Sequence, residues 1–117
     1  MATIQPTSEL PASGGGSFVL YIWANMTTND VGAPVELPTF ADRTAQMEGT
    51  FNGATVDLKG SLDGTNYRSL TDPQGNAISK TAAALEAVTE IVRYIRPEVS
   101  GGTTPSVTVT VLMRVNP

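Results

Sequence analysis

Neither cysteine nor histidine occurs in the chain. The first absence excludes disulfide frameworks, zinc–thiolate centres and thiol nucleophiles. The second removes the commonest metal ligand and the usual general base near neutral pH. Grouped cations are missing too. Arg43, Lys59, Arg68, Lys80, Arg93, Arg96 and Arg114 are scattered, and nothing basic precedes Arg43. With a formal net charge of −4 and a pI of about 4.5, nucleic acid is an unsuitable partner, because phosphate binding needs clustered Lys and Arg. No apolar run approaches the length of a membrane span, so no membrane association is expected. The opening "MATIQPTSELPASGGGS" lacks a basic n-region and an apolar h-region. It is expected not to be a secretory signal, and the protein is expected to be made in a cytoplasm.

Charge of either sign is scarce. Charged residues make up 15% of the chain, against about 25% in an average soluble domain. Thr, Ser, Gly, Asn and Pro take up the difference, and they suit strands and turns better than helices. A polar surface with so little charge is weakly solvated for a free monomer. It fits a protein covered in part by partners and, equally, a plain Thr-rich β-protein. At 117 residues the chain fits one domain, long enough to bury roughly two thirds of the surface its unfolded form exposes.

What is present reads as strands. Residues 1–16, with Pro6, Pro11 and Gly14-Gly15-Gly16, predict a flexible N-terminal arm that becomes ordered on contact with partners. Residues 17–117 form the folded domain. "SFVLYIWANM" (17–26) is the strongest strand, apolar on both alternating sets and so expected to be covered on both faces. "VELPTFA" reads as an edge strand or extended loop because of Pro34 and Pro38, and "RTAQMEGTF" (43–51) as a weaker strand. In "ATVDLKGSL" (54–62), Ala54, Val56, Leu58 and Leu62 are expected on the buried face, with Thr55, Asp57, Lys59 and Ser61 opposite.

Asp63-Gly64 supplies a positive-φ turn, "YRSLT" returns from it, and "DPQG" (72–75) carries a type I turn signature before the short strand "AISKT". "AAALEAVTE" (82–90) is read as a short helix, with one turn plus an edge strand as the alternative. "IVRYIRPEVS" and "SVTVTVLMRV" close the domain, the last with Val107, Val109, Val111 and Met113 inward. The expected fold is all-β: an antiparallel, jelly-roll-like β-sandwich with an extended arm and at most one short helix.

Catalytic patterns are weak. There is no G-x-S-x-G elbow, and "GGGS" lacks the Lys and the context of a phosphate loop. Asp57, Asp63 and Asp72 could flank a cleft as a carboxylate pair, but Asp63 and Asp72 occupy turn positions where Asp is favoured for backbone reasons. The same reasoning outweighs a Ca²⁺ site from Asp63, Asn66 and Asp72, whose spacing matches no calcium loop. Neither enzyme activity nor a cofactor is expected. Trp23 and Tyr21 with Tyr67 and Tyr94 could form a sugar platform, although a lone Trp in a small sandwich more often fills a core or an interface. Arg96 and Glu98 share a strand face and can pair, or Arg96 can meet a partner's carboxylate.

From residue 50 onward the order of motifs resembles small structural proteins of tailed-phage virions. Gly60, Ser61, Asp63, Gly64, Thr65, Asn66 and Tyr67 carry G-S-x-D-G-T-N-aromatic. Asp72, Pro73, Gln74 and Gly75 carry the second motif, "RYIRP" (93–97) the third, and a terminal T-V-T-V strand follows. The likeness covers a little over half the chain, and residues 1–49 have no counterpart in it. It implies a capsid decoration (cement) protein on the exterior of a phage shell. Its partner would be the major capsid protein, and it would form a homo-oligomer, dimer or trimer. Ile4 and Leu10 of the arm, with Trp23, Tyr67, Arg68 and Arg96, are the expected contact residues. A carbohydrate-binding sandwich and a head–tail connector or tail component are the alternatives.

Overall fold

The computed structural model describes residues 2–9, 18–36 and 40–115. In chain order its strands are β1 (Thr3–Ile4), β2 (Thr7–Glu9), β3 (Phe18–Met26), β4 (Val31–Gly32), β5 (Val35–Glu36) and β6 (Phe40–Thr50). They continue with β7 (Ala54–Ser61), β8 (Arg68–Ser69), β9 (Ser79–Lys80), β10 (Ala84–Ala87), β11 (Tyr94–Gly101) and β12 (Ser106–Val115). Two sheets pack face to face. The first runs β1-β4-β11-β7-β8, with β5 also on β11 and β9 also on β7. The second runs β10-β6-β12-β3-β2. Connections such as β3 to β4, β6 to β7 and β11 to β12 pass from one sheet to the other, which gives the sandwich a jelly-roll-like winding.

Alternation decides which side chains meet between the sheets. Val107, Val109, Val111 and Met113 of β12 are fully buried, as their period-2 pattern requires, and Ala45 and Met47 of β6 lie beside them. Val56, Leu58, Ile95 and Val99 answer from β7 and β11. Each such side chain contributes about 1.5–3 kcal/mol relative to exposure, so this layer carries the fold.

Trp23 belongs to that layer. It is 0% exposed, and its indole N–H donates to the Ala33 carbonyl at 3.0 Å. Gly32 makes room for the ring, since a Cβ there would stand 2.5 Å from Pro97 Cδ and 2.7 Å from Trp23 Cδ1.

Three expectations change. Residues 84–87 are not helical: β10 is an edge strand paired antiparallel to β6, with Ala84 and Glu86 half-buried and Leu85 and Ala87 exposed. Among the described residues there is no helix. Ladder hydrogen bonds to an eleven-residue neighbour outweigh the few tenths of a kcal/mol per residue of helix propensity. Leu62 is 70% exposed instead of buried, because β7 ends at Ser61 and the chain turns before the next inward position. The sandwich is also not wholly antiparallel, since β1 lies parallel to β4.

The N-terminal residues find their partners within the chain. β1 joins the first sheet and β2 the second, so one short segment spans both. The buried Asp30 carboxylate fastens it. It accepts from the Ala2 N–H (3.1 Å), the Thr27 N–H (2.8 Å) and the Thr27 hydroxyl (2.9 Å). Burial alone would push its pKa up, but the hydrogen bonds from Thr27 and Ala2 prevail and hold it below the usual carboxylate range. Ile4 is half-buried against the core, whereas Leu10 lies outside the described residues.

A second clamp closes the opposite connections. The Glu90 carboxylate accepts the Thr71 N–H at 2.7 Å and the Thr71 hydroxyl, while the buried Arg43 guanidinium donates to the Glu90 carbonyl. Arg43 stands on β6 of the second sheet. Thr71 belongs to the β8–β9 excursion of the first, so the cluster ties the two layers. Burial would raise the Glu90 carboxyl, and the Thr71 hydrogen bonds with the Arg43 charge lower it overall.

Candidate partner-contact surface

The outer face of the first sheet gathers Tyr67, Tyr94 and several of the chain's charges. β7 and β11 pair with Arg96 opposite Lys59 and Glu98 opposite Asp57. The side chains that alternate outward therefore stand in cross-strand neighbourhoods. Glu98 sits at the hub. It accepts from Arg96 Nε (3.2 Å) and Nη2 (3.0 Å), and its other oxygen lies 3.1 Å from Lys59 Nζ. The Arg96 guanidinium lies over the Tyr67 ring, 3.8 Å from its centroid. Arg93 lies 5.1 Å from the Tyr94 centroid and is anchored at 2.7 Å by Glu36.

Local chemistry places Tyr67. The Ser61 hydroxyl accepts from the Asp63 and Gly64 N–H groups at 3.2 and 2.9 Å and donates to Asp63 at 2.9 Å. Asp63 Oδ1 accepts the Thr65 and Asn66 N–H groups, both at 2.9 Å, and Oδ2 the Asn66 amide at 2.8 Å. These bonds, led by the Asn66 N–H, hold the Asp63 carboxyl well below the usual range. Gly64 takes φ 79, as the Asp-Gly signature requires. Asp72 likewise accepts the Gln74 and Asn76 N–H groups at 3.0 Å each. Both carboxylates are thus turn devices. Among the described residues, no group of three or more acidic, His or Cys side chains is placed to hold a metal ion.

Burial pushes the Tyr67 hydroxyl's pKa up, with Tyr94 and Asp63 adding to it and Arg96 opposing. The phenol therefore stays a neutral donor and acceptor through the physiological range. The ion pairs are partly exposed, so each adds at most about 1 kcal/mol to stability. Their geometry matters more. Side chains held in place before an encounter lose less freedom when a partner docks.

The expected contact residues separate. Tyr67 and Arg96 touch. Arg68 follows Tyr67 but sits at the sheet edge, opposite Gly60, beside a recess of about 310 Å³ shared with Leu62, Asn66 and Val92. Trp23 is sealed inside and presents no surface, which corrects its place among the contacts. Ile4 is committed to the chain's own core. The four aromatic rings do not assemble as one platform: Tyr21 packs on the core from the second sheet, and one face of Tyr67 is covered by Arg96. Lys59 and Glu98 join the site. A fixed register was the missing signal, since only the pairing of β7 with β11 puts Lys59 beside Glu98.

No protein-family model and no curated protein matches the sequence. Solved structures do match its fold. The SPBc2 prophage-derived protein YomS superposes with a TM-score of 0.64 at 14% identity, over 80% of this chain and 91% of that one. The chain has the fold of a prophage-derived protein. The K2 cleaved adhesin domain of Lys-gingipain follows with a TM-score of 0.51 at 14% identity, over 96% of this chain and 84% of the other. The K1 cleaved adhesin domain of Lys-gingipain from Porphyromonas gingivalis W83 matches at a TM-score of 0.47 and 11% identity, over 96% of this chain and 91% of that one.

Proposed function

We propose that the chain is a non-enzymatic structural protein of a phage virion that binds the outer surface of the capsid. There it stabilises contacts between adjacent major capsid subunits. The observation that carries this reading is the pre-ordered outer face of the first sheet, where Tyr67, Arg96, Glu98 and Lys59 are fixed against one another. The fold shared with a prophage-derived protein supports it, as does the ordered set of phage-like motifs from residue 50 onward. A capsid exterior offers polar, largely immobile loops. A rigid array of one aromatic, two cations and one carboxylate suits such a target better than a deep cleft does.

Co-sedimentation tests the reading. Purified protein added to bare capsids should pellet with them and raise the temperature at which they open. Y67A/R96A should bind at least about tenfold more weakly while keeping the wild-type circular dichroism spectrum. A wild-type protein that stays in the supernatant overturns the proposal. If soluble glycans raise its melting temperature instead, the sugar-binding reading takes its place.

A further inference from the structure

The outer face of the second sheet is built from different material. Register places Leu85, Gln46, Thr110, Ile22 and Thr7 in one cross-strand row. Ala87, Thr44, Leu112, Leu20 and Glu9 form the next. Within these two rows the only ionisable member is Glu9, at the outermost edge, and Glu48 of β6 stands in the adjoining row, where it accepts from the Gln46 amide at 3.1 Å. β3 is apolar on this side as well as on its core side, because Phe18, Leu20 and Ile22 alternate with Val19, Tyr21 and Trp23. Leu85 is 67% exposed, and Ile91 beside β10 is 76% exposed. Two recesses share Leu112 and Thr44 as a common floor. One of about 560 Å³ has Ile91 on its wall, and one of about 280 Å³ has Leu85 on its wall. Projection and hollow therefore occur on the same face.

We propose that this face is the interface between two copies of the chain, related by a two-fold axis. Charge selects a second copy over other occupants. At −4, two copies repel over most of their surfaces, but the centre of this face is uncharged. At its end Asp42 and Arg114 stand in register and form an ion pair, each side chain 58% exposed. A two-fold operation turns a neighbouring anion and cation into a self-complementary pair, so one copy's Asp42 can face the other's Arg114. Leu and Ile projections over Leu- and Thr-floored hollows then interdigitate as the inner faces of a sandwich do. Five strands spaced about 4.8 Å apart and seven residues of β6 at about 3.3 Å each give roughly 400 Å² of plan area per copy. That is modest beside the roughly 800 Å² of accessible surface per partner in a standard interface, so the dimer is expected to be weak and concentration-dependent. The contact leaves the Tyr67–Arg96 face free and holds whether or not the capsid reading does.

Sedimentation equilibrium of the full chain, without capsids, tests it. Wild type should be a dimer at 100 micromolar and dissociate on dilution. L85E/I91E alters two exposed side chains and should weaken the dimer at least roughly 100-fold with an unchanged circular dichroism spectrum. D42R and R114D should each weaken it less, and mixing the two variant proteins should restore part of the loss, a rescue that the intrachain pair, broken in both, cannot give. A wild-type monomer, a ring trimer, or a dimer indifferent to L85E/I91E each overturns the proposal. So does an L85E/I91E protein that remains dimeric but loses capsid binding, which would assign the face to the shell.

Discussion

The two sheets solve the same problem with unequal means. The second is built on β3, β6 and β12, strands of nine, eleven and ten residues whose mutual ladders and inward apolar sets suffice to hold them. In the first, only β7 and β11 reach eight residues, and β1, β4, β5, β8 and β9 have two each. Two-residue strands bury too little to persist on pairing alone. Carboxylates make good the deficit: Asp30, Asp63, Asp72 and Glu90 each accept backbone N–H groups in the connections around that sheet. A sandwich can thus combine one layer held by apolar periodicity with another held by buried or turn-forming acids.

The largest test of this contrast lies in the shared core. Trp23→Ala should cost about 3–5 kcal/mol, read as a lower midpoint in urea, because it removes the most voluminous fully buried side chain and strands the Ala33 carbonyl. Asp30→Asn should cost about 2 kcal/mol and speed amide exchange at Ala2 and Thr27, since the charged acceptor of three hydrogen bonds is lost. If it cost no more than a surface substitution, the clamp account of the first sheet would fail.

Acidification should reproduce that loss. The Asp30 and Glu90 carboxyls titrate lower in the folded chain than in the unfolded one, so between the two values the unfolded chain binds more protons. Their contribution is complete above the unfolded values near about pH 4 and declines as pH falls below them. Thermal melts from pH 6 to pH 2 should show that decline, and it should be shallower in D30N/E90Q. Smallest of all, Arg96→Ala should change stability by less than about 1 kcal/mol in the same melts. A larger effect would make the Arg96–Glu98–Lys59 array part of the scaffold, not of the recognition surface.

Where a residue's role depended on near neighbours, the sequence was informative. The alternation of "SVTVTVLMRV" located β12 and its inward set, and Asp63-Gly64 located the turn that positions Tyr67. Where a role depended on pairing partners far along the chain, it was not. "AAALEAVTE" has the composition of a helix, and only the neighbouring β6 makes it a strand. Nothing near Trp23 announces that Gly32 and Pro97 close over it, so its burial could not be told from interface exposure. Nor does anything near Asp30 announce its hydrogen bond to Ala2, which joins positions 28 apart.

The winding of the chain between the layers bears on how the protein is made. Neighbouring strands in sequence mostly lie in different sheets, while the longest ladders, β12 with β6 and β3 and β11 with β7, join strands distant in sequence. Asn25, for instance, is hydrogen-bonded to Thr108, 83 positions away. Loop closure must therefore precede most of the native contacts, which places the protein among slow folders, with relaxation in milliseconds to seconds. Neither layer has a complete set of strands until nearly the whole chain has been synthesised, so ribosome-bound fragments would carry unpaired strand edges. In a cell producing many copies at once, abundance would be governed by the race between closure and aggregation.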